Sequence, residues 1–158
     1  MRKYLCCFIA VAVVAVIGCA KTDKPEGLPD LFPCEITITQ DGKPLAGANV
    51  VFFGDQKWAV GGGTAENGVA KIYTHGKFEG APSGKYKVTV TKTITEGGPT
   101  EADLNNPSYS GGYGKQYDVI DKKFRSAETT TLEIDVAPGK NTKTLDVEKA
   151  VKVEQPKV

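Results

Sequence analysis

The chain of 158 residues, 40% of them hydrophobic, fits one domain with a modest core once its leader is set aside. Twenty basic residues against 19 acidic give a net charge of +1, which leaves no basic footprint for nucleic acid and no charge run that would mark a polybasic membrane patch or an acidic tail. Eighteen Gly and nine Pro among many Val, Ile and Thr punctuate strands, and no amphipathic helix is legible after residue 20.

Residues 1–18 read as a lipoprotein signal peptide. Arg2-Lys3 is a short basic region, and Leu5 to Ile17 is an apolar run shorter than the roughly 20 residues that span a bilayer. Val16-Ile17-Gly18-Cys19 resembles the bacterial lipobox, which implies that Cys19 is acylated and becomes the new N-terminus. The other reading is an ordinary signal peptide cleaved near Ala20. Ala20 and Lys21, with no aspartate after the cysteine, favour the outer membrane under the enterobacterial sorting pattern. The expected location is therefore the cell envelope, lipid-anchored, with the domain facing the periplasm or the exterior. Loss of Arg2 and Lys3 leaves 18 basic residues against 19 acidic. Cys6 and Cys7 leave with the leader, Cys19 carries lipid, and Cys34 alone remains in the mature domain, so no internal disulfide is expected. Cys34 opens the first strand, where it reads as a small buried apolar residue; an intermolecular bridge or reactive thiol is the alternative.

Residues 19–33 read as a Pro-rich tether, with Pro25, Pro29 and Pro33 spaced four apart. Extended at about 3.1 Å per residue, the stretch from Ala20 to Pro33 reaches on the order of 40 Å. Leu28, Leu31 and Phe32 make its end apolar enough to dock. Cys34 to Thr39 is a first strand with Ile36 and Ile38 on one face. Asp41-Gly42-Lys43-Pro44 then turns the chain, because Asp-Gly tolerates positive φ and Pro44 withholds a ladder donor. In the next strand Ala48, Val50 and Phe52 share one face and Val51 and Phe53 the other, as in a central strand. Lys57 to Val60 reads as a short edge strand whose Trp58, the sole tryptophan, caps the core or serves as a ligand platform.

Gly61 to Gly68 reads as a double turn. It is no phosphate loop, since neither Lys-Ser/Thr nor a helix follows. Asn67-Gly68 launches Val69 to Thr74, with Ala70 and Ile72 on one face. His75 stands alone on a loop, without a second metal ligand or an adjacent nucleophile. Pro82-Ser83-Gly84 leads into Lys85 to Lys92, with Tyr86, Val88 and Val90 inward.

DGKPLAGANVVFF, GTAENGVAKI and PSGKYKVTV together resemble the signature of carboxypeptidase regulatory-like and transthyretin-like (prealbumin-like) domains. Pro44, Gly47, Ala48, Val50, Phe52, Thr64, Gly68, Pro82, Gly84, Tyr86, Val88 and Val90 fall on its positions, across roughly residues 34–92. The resemblance implies an all-β, seven-stranded antiparallel Greek-key sandwich over residues 34–149, with 150–158 as a tail. It implies no chemistry, because the motifs are structural. In small bacterial lipoproteins of this type a later box and a Pro-Gly-x-Asn turn follow; Val119-Ile120-Asp121-Lys122-Lys123-Phe124 and Pro138-Gly139-Lys140-Asn141 stand in those places, without the proline of the box.

Thr93 to Glu128 lacks a clear strand and is too long for an idle connection, so it has structure of its own or carries function. Tyr109, Tyr113 and Tyr117 lie there among Ser, Gly and Asn, the composition of binding loops, and form the candidate binding loop. Thr129 to Val136 and the stretch carrying Leu145 and Val147 read as a hairpin. Its outward Glu133, Asp135, Asp146 and Glu148 make a solvated acidic face in preference to a cation site. Neither a metal nor a cofactor is expected.

These features point to a non-enzymatic, lipid-anchored envelope domain that binds protein or glycan, or acts as a spacer. The alternatives are a periplasmic small-ligand carrier and a prealbumin-fold enzyme. The hydroxyisourate hydrolases and intradiol dioxygenases of that fold need histidine clusters, and this chain offers only His75.

Overall fold

Ile36 and Ile38 are fully buried, while Glu35 and Thr37 between them are half-exposed. The same two-residue period recurs at Val50 and Phe52, at Tyr86, Val88 and Val90, and at Ile134 and Val136. Each such stripe must cover another, and the result is an all-β sandwich with a single core. The computed structural model describes residues 24–55, 57–108, 110–112 and 114–156.

In chain order the first strands are β1 (Leu31–Phe32), β2 (Cys34–Gln40), β3 (Lys43–Pro44), β4 (Asn49–Phe53) and β5 (Val60–Gly63). They are followed by β6 (Val69–Lys71), β7 (Tyr73–Thr74), β8 (Phe78–Glu79), β9 (Ala81–Pro82) and β10 (Gly84–Thr91). The last are β11 (Thr93–Glu96), β12 (Lys115–Asp118), β13 (Glu133–Val136), β14 (Asn141–Asp146) and β15 (Val153–Glu154). Helical structure among the described residues is limited to α1 (Glu101–Leu104), capped by Thr100, and a 3-10 turn at Lys122–Phe124.

One sheet runs β13-β10-β4-β5-β7-β8, and the other β14-β2-β3 with β6 also on β2. Strand β4 is central, with Val88 opposite Phe52 on one side and Gly61 opposite Val51 on the other. The run from Val69 to Thr74 is expected as one strand, but it changes sheets at Ile72. β6 pairs with β2 and β7 with β5, while Ile72 itself donates to the Cys34 carbonyl at 3.0 Å. A fully buried side chain at the corner seals that edge of the sandwich.

Two expectations are corrected. Gly61-Gly62-Gly63 is part of strand β5, and Lys57 to Ala59 is the connection leading into it. The glycines serve close packing of backbones: a Cβ at Gly61 would lie 2.5 Å from the Val50 carbonyl oxygen, and one at Gly62 only 2.1 Å from that of Lys71. Second, β13 and β14 do not form a hairpin. β13 pairs antiparallel with β10, whereas β14 crosses to the opposite sheet and pairs parallel with β2, Asn141 opposite Cys34 through Asp146 opposite Thr39. The sandwich is therefore antiparallel except at this pair. The Asn141 side chain shapes the crossing, accepting from the Ala137 N–H at 3.0 Å and donating to the carbonyls of Ala137 and Gly139.

Residues 93–128 have structure of their own. β11 and β12 pair antiparallel, and β15 adds a third strand to them from beyond residue 149. Asp118 roots this small sheet. Buried at the end of β12, it is ion-paired with Arg125, accepts from Gln155 Nε2 at 2.8 Å and accepts from Thr93 Oγ1 at 3.4 Å. Just beyond it Ile120 and Phe124 enter the main core, both essentially fully buried. At about 1.5–3 kcal/mol per buried side chain they tie the segment to the sandwich. At the other end of the domain, β1 pairs with β9, so the apolar end of the tether stretch docks, with Phe32 packed against the core.

Candidate functional site

Of the residues singled out as a binding loop, Tyr117 lies in strand β12, opposite Ile94 on β11 and Glu154 on β15. It is half-buried, with the Lys152 ammonium 4.4 Å from its ring centroid. Lys152 is held there by Glu96 at 2.6 Å, and the paired carboxylate keeps the ammonium above its ordinary range. The expected loop position of Tyr117 is corrected accordingly: Lys115 to Asp118 matches Thr93 to Glu96 residue for residue and is drawn into a ladder. Tyr109, Tyr113 and the lipidation candidate Cys19 lie outside the described residues.

An open cleft of about 690 Å³ lies on the first sheet, where β4 ends against β10 and β13. Phe53, 47% exposed, is the last residue of β4 and stands opposite Lys87. Cross-strand register then places Glu133 beside Lys87 and Asp135 beside Lys85. Asp55 and Lys143 complete the charged rim, and Lys143 donates to the Glu133 carbonyl at 2.6 Å. Among the described residues none of Asp55, Lys85, Lys87, Glu133 and Asp135 enters an ion pair. Tyr86 underlies the cleft. Its hydroxyl donates to the Pro82 carbonyl at 2.8 Å, its ring tilts against Phe52 at 5.5 Å, and burial pushes the phenol above its ordinary range. The result is an apolar centre ringed by charges of both signs that enter no ion pair among the described residues. The outward Lys, Glu and Asp are legible as strand alternation; their juxtaposition around Phe53 depends on register and is not.

A second groove, of about 640 Å³, is lined by Asp41, Asp121, Asp146, Glu148, Lys149 and Val151. Its carboxylates are largely turned to the chain itself. Asp41 accepts from the Ala150 N–H at 3.1 Å, Asp121 from Lys123 N–H at 2.9 Å and Asp146 from Glu148 N–H at 2.9 Å, while Glu148 pairs with Lys123. Among the described residues no three His, Cys, Asp or Glu side chains converge to hold a metal ion. Glu133 and Asp135 belong to the first cleft and Asp146 and Glu148 to the second groove, so the single acidic face expected of a hairpin is absent.

His75 is exposed in the β7–β8 turn at φ 53°, its ring edge-on to Trp58 with centroids 5.2 Å apart. Trp58 is half-buried against the core, in line with the capping role. Cys34 is buried, and desolvation, with the Glu35 charge adding to it, pushes the thiol up to about 11. The thiol is thus protonated and shielded at neutral pH, the opposite of a reactive cysteine. Since the folded value is raised above the ordinary 9.0, unfolded chains ionise first. Stability is expected to be unaffected by this group below about pH 9 and to fall as pH rises from about 9 towards 11. Denaturant titrations of Cys34→Ala and the wild type across that range check this: the mutant's decline should be the shallower, lacking the share of Cys34 and keeping that of groups such as Tyr86.

Among the described residues no helix is long and apolar enough to cross a membrane. No family model, curated protein or solved structure matches the chain.

Proposed function

We propose that the protein is a lipid-anchored, non-enzymatic β-sandwich domain of the bacterial cell envelope that binds protein or glycan through the Phe53 cleft. The observation that carries the binding role is the exposed Phe53 ringed by charges of both signs that enter no ion pair among the described residues. An aromatic centre within a polar rim suits a peptide segment or a sugar face, since the ring supplies apolar contact area and the rim supplies directional bonds. The motifs shared with carboxypeptidase regulatory-like domains favour the same reading, as does the lipobox at Cys19. A non-enzymatic role is favoured by the placement of the two most reactive side-chain types: His75 is edge-on to Trp58, and the Cys34 thiol is buried.

One experiment with two arms tests it. Cys19→Ser is expected to move the protein from the membrane to the soluble fraction, and unchanged fractionation rejects the anchor. From detergent-solubilised envelope, the wild-type domain is expected to retain a protein or glycan that Phe53→Asp and Lys87→Glu lose at least tenfold, with melting temperatures matched. Equal capture by all three, or capture by none, rejects the cleft.

A further inference from the structure

Strand β13 ends the first sheet and β14 ends the second. The pairing of β13 with β10 decides which of its backbone groups look outward. The Val88 N–H donates to the Leu132 carbonyl, so Leu132, Ile134 and Val136 face β10 with their peptide groups, and the alternate residues Glu133 and Asp135 turn theirs away. Among the described residues no strand lies against that edge. Ala137, the next outward-turned residue, is closed off by Asn141, which accepts from its N–H and donates to its carbonyl. The open edge is thus a window formed by Glu133 and Asp135.

One group occupies the window. Lys143 stands opposite the fully buried Ile36, so its side chain starts from the inward face of β14. It crosses the open side of the sandwich, and its Nζ donates to the Glu133 carbonyl at 2.6 Å. An inward-pointing lysine on an edge keeps other strands from adding to it. This lysine is exposed and enters no ion pair among the described residues, so one hydrogen bond holds it in place. Once it swings out, the window offers two N–H and two C=O groups to an antiparallel strand.

The side chains at the window select the partner. Residues of an added strand opposite Glu133 and Asp135 would share their face at about 5 Å, near enough to pair. Lys87 and Lys85 flank the same carboxylates from β10. They would be two strand spacings from the newcomer, about 10 Å, beyond the screening length of about 8 Å in physiological salt. Lys140, in the connection from β13 to β14, is already paired with Glu35 at 3.0 Å. A second copy added through the same edge sets carboxylate against carboxylate, which disfavours it. The fitting occupant is an extended segment with Lys or Arg at two positions separated by one residue.

We propose that the β13 edge is a strand-addition site for an extended basic peptide segment of a protein partner, gated by Lys143. Glu133, Asp135 and Lys143 also line the Phe53 cleft, so the proposal deepens the cleft reading and rests on it for this face being the one that binds.

The test titrates the isotope-labelled chain from residue 19, which contains every described residue, with a blocked peptide Thr-Lys-Val-Lys-Thr. In a bound antiparallel strand both lysine N–H groups face β13 and the valine N–H faces away. Amide exchange at Glu133 and Asp135 is expected to slow about tenfold at saturation, and N-methylation of both lysines to weaken binding about tenfold, while N-methylation of the valine is tolerated. Lys143→Met, with its melting temperature retained, is expected to bind about threefold tighter, because the window is then open in every molecule. Absence of binding, protection of other amides in place of these two, equal affinity of the two methylated peptides, or no gain in Lys143→Met each overturns the proposal. The peptide reports on the edge alone, since β10 and β13 separate an added strand from Phe53. A failed titration therefore removes the edge site, whereas equal capture by Phe53→Asp and the wild type removes the cleft.

Discussion

Val88→Asp is expected to leave the chain unfolded at 25 °C. Val88 is fully buried, stands opposite Phe52 on β4, and donates its N–H to the Leu132 carbonyl at 2.8 Å, so it sits where three neighbouring strands meet the core. An aspartate there either ionises without a partner or takes up a proton at neutral pH. Either route costs several kcal/mol, on top of about 2 kcal/mol of lost apolar burial. A domain of ordinary stability, about 5–15 kcal/mol, has little margin for such a sum. Circular dichroism and thermal melting check it, with Val88→Ala as the graded comparison expected to stay folded while losing about 2–3 kcal/mol. If the aspartate variant melts like wild type, Val88 is outside the core.

Gly62→Ala carries the second large effect. The added methyl would lie 2.1 Å from the Lys71 carbonyl oxygen and 3.1 Å from its carbon, both backbone atoms that cannot swing aside. Relief requires β5 to move from the 69–74 run, which is pinned to both sheets, so a loss of about 3 kcal/mol or more is expected. Gly63→Ala is the control. Its nearest neighbour, the Ala48 carbonyl oxygen, would be 3.8 Å away, and reduced freedom of the unfolded chain makes that change neutral or stabilising by up to about 1 kcal/mol. Denaturant midpoints at unchanged slope measure both. Equal stability of the two variants would show that β5 is not held against Lys71.

The contrast between these glycines explains what could be read in advance and what could not. A Gly-Gly-Gly run carries no side-chain period, so it reads as a turn; only the positions of Val50 and Lys71 reveal that a strand there must lack Cβ atoms. The same limit applied to β13 and β14. Ile134 and Val136, then Leu145 and Val147, are apolar stripes joined by a short Pro-Gly turn. That pattern is identical for a hairpin and for a crossing between sheets. The Asn141 side chain makes the turn a crossing, through hydrogen bonds to groups that alternation does not encode. Tyr117 departs from its expected loop position for a related reason: four residues without apolar alternation become a strand because β11 and β15 flank them.

The candidate cleft was legible only in its parts. Phe53 stands out as an apolar residue on the second face of β4, and Lys85, Lys87, Glu133 and Asp135 stand out as outward charges on their strands. Distances along the chain say nothing of which charges meet, and the register of β10 with β4 and β13 sets them around the ring.

By itself the sequence determined the class of fold, most of the core and the principal turns, because a period of two in apolar residues and the φ demands of Asp-Gly, Asn-Gly and Pro are local properties of the chain. The partition of strands between sheets, the parallel β2–β14 pair and the third sheet rooted on Asp118 were decided by tertiary structure alone. The physical reason is that these depend on which edges and carbonyls come together after collapse, and residues as far apart as Gln40 and Val119 meet only then.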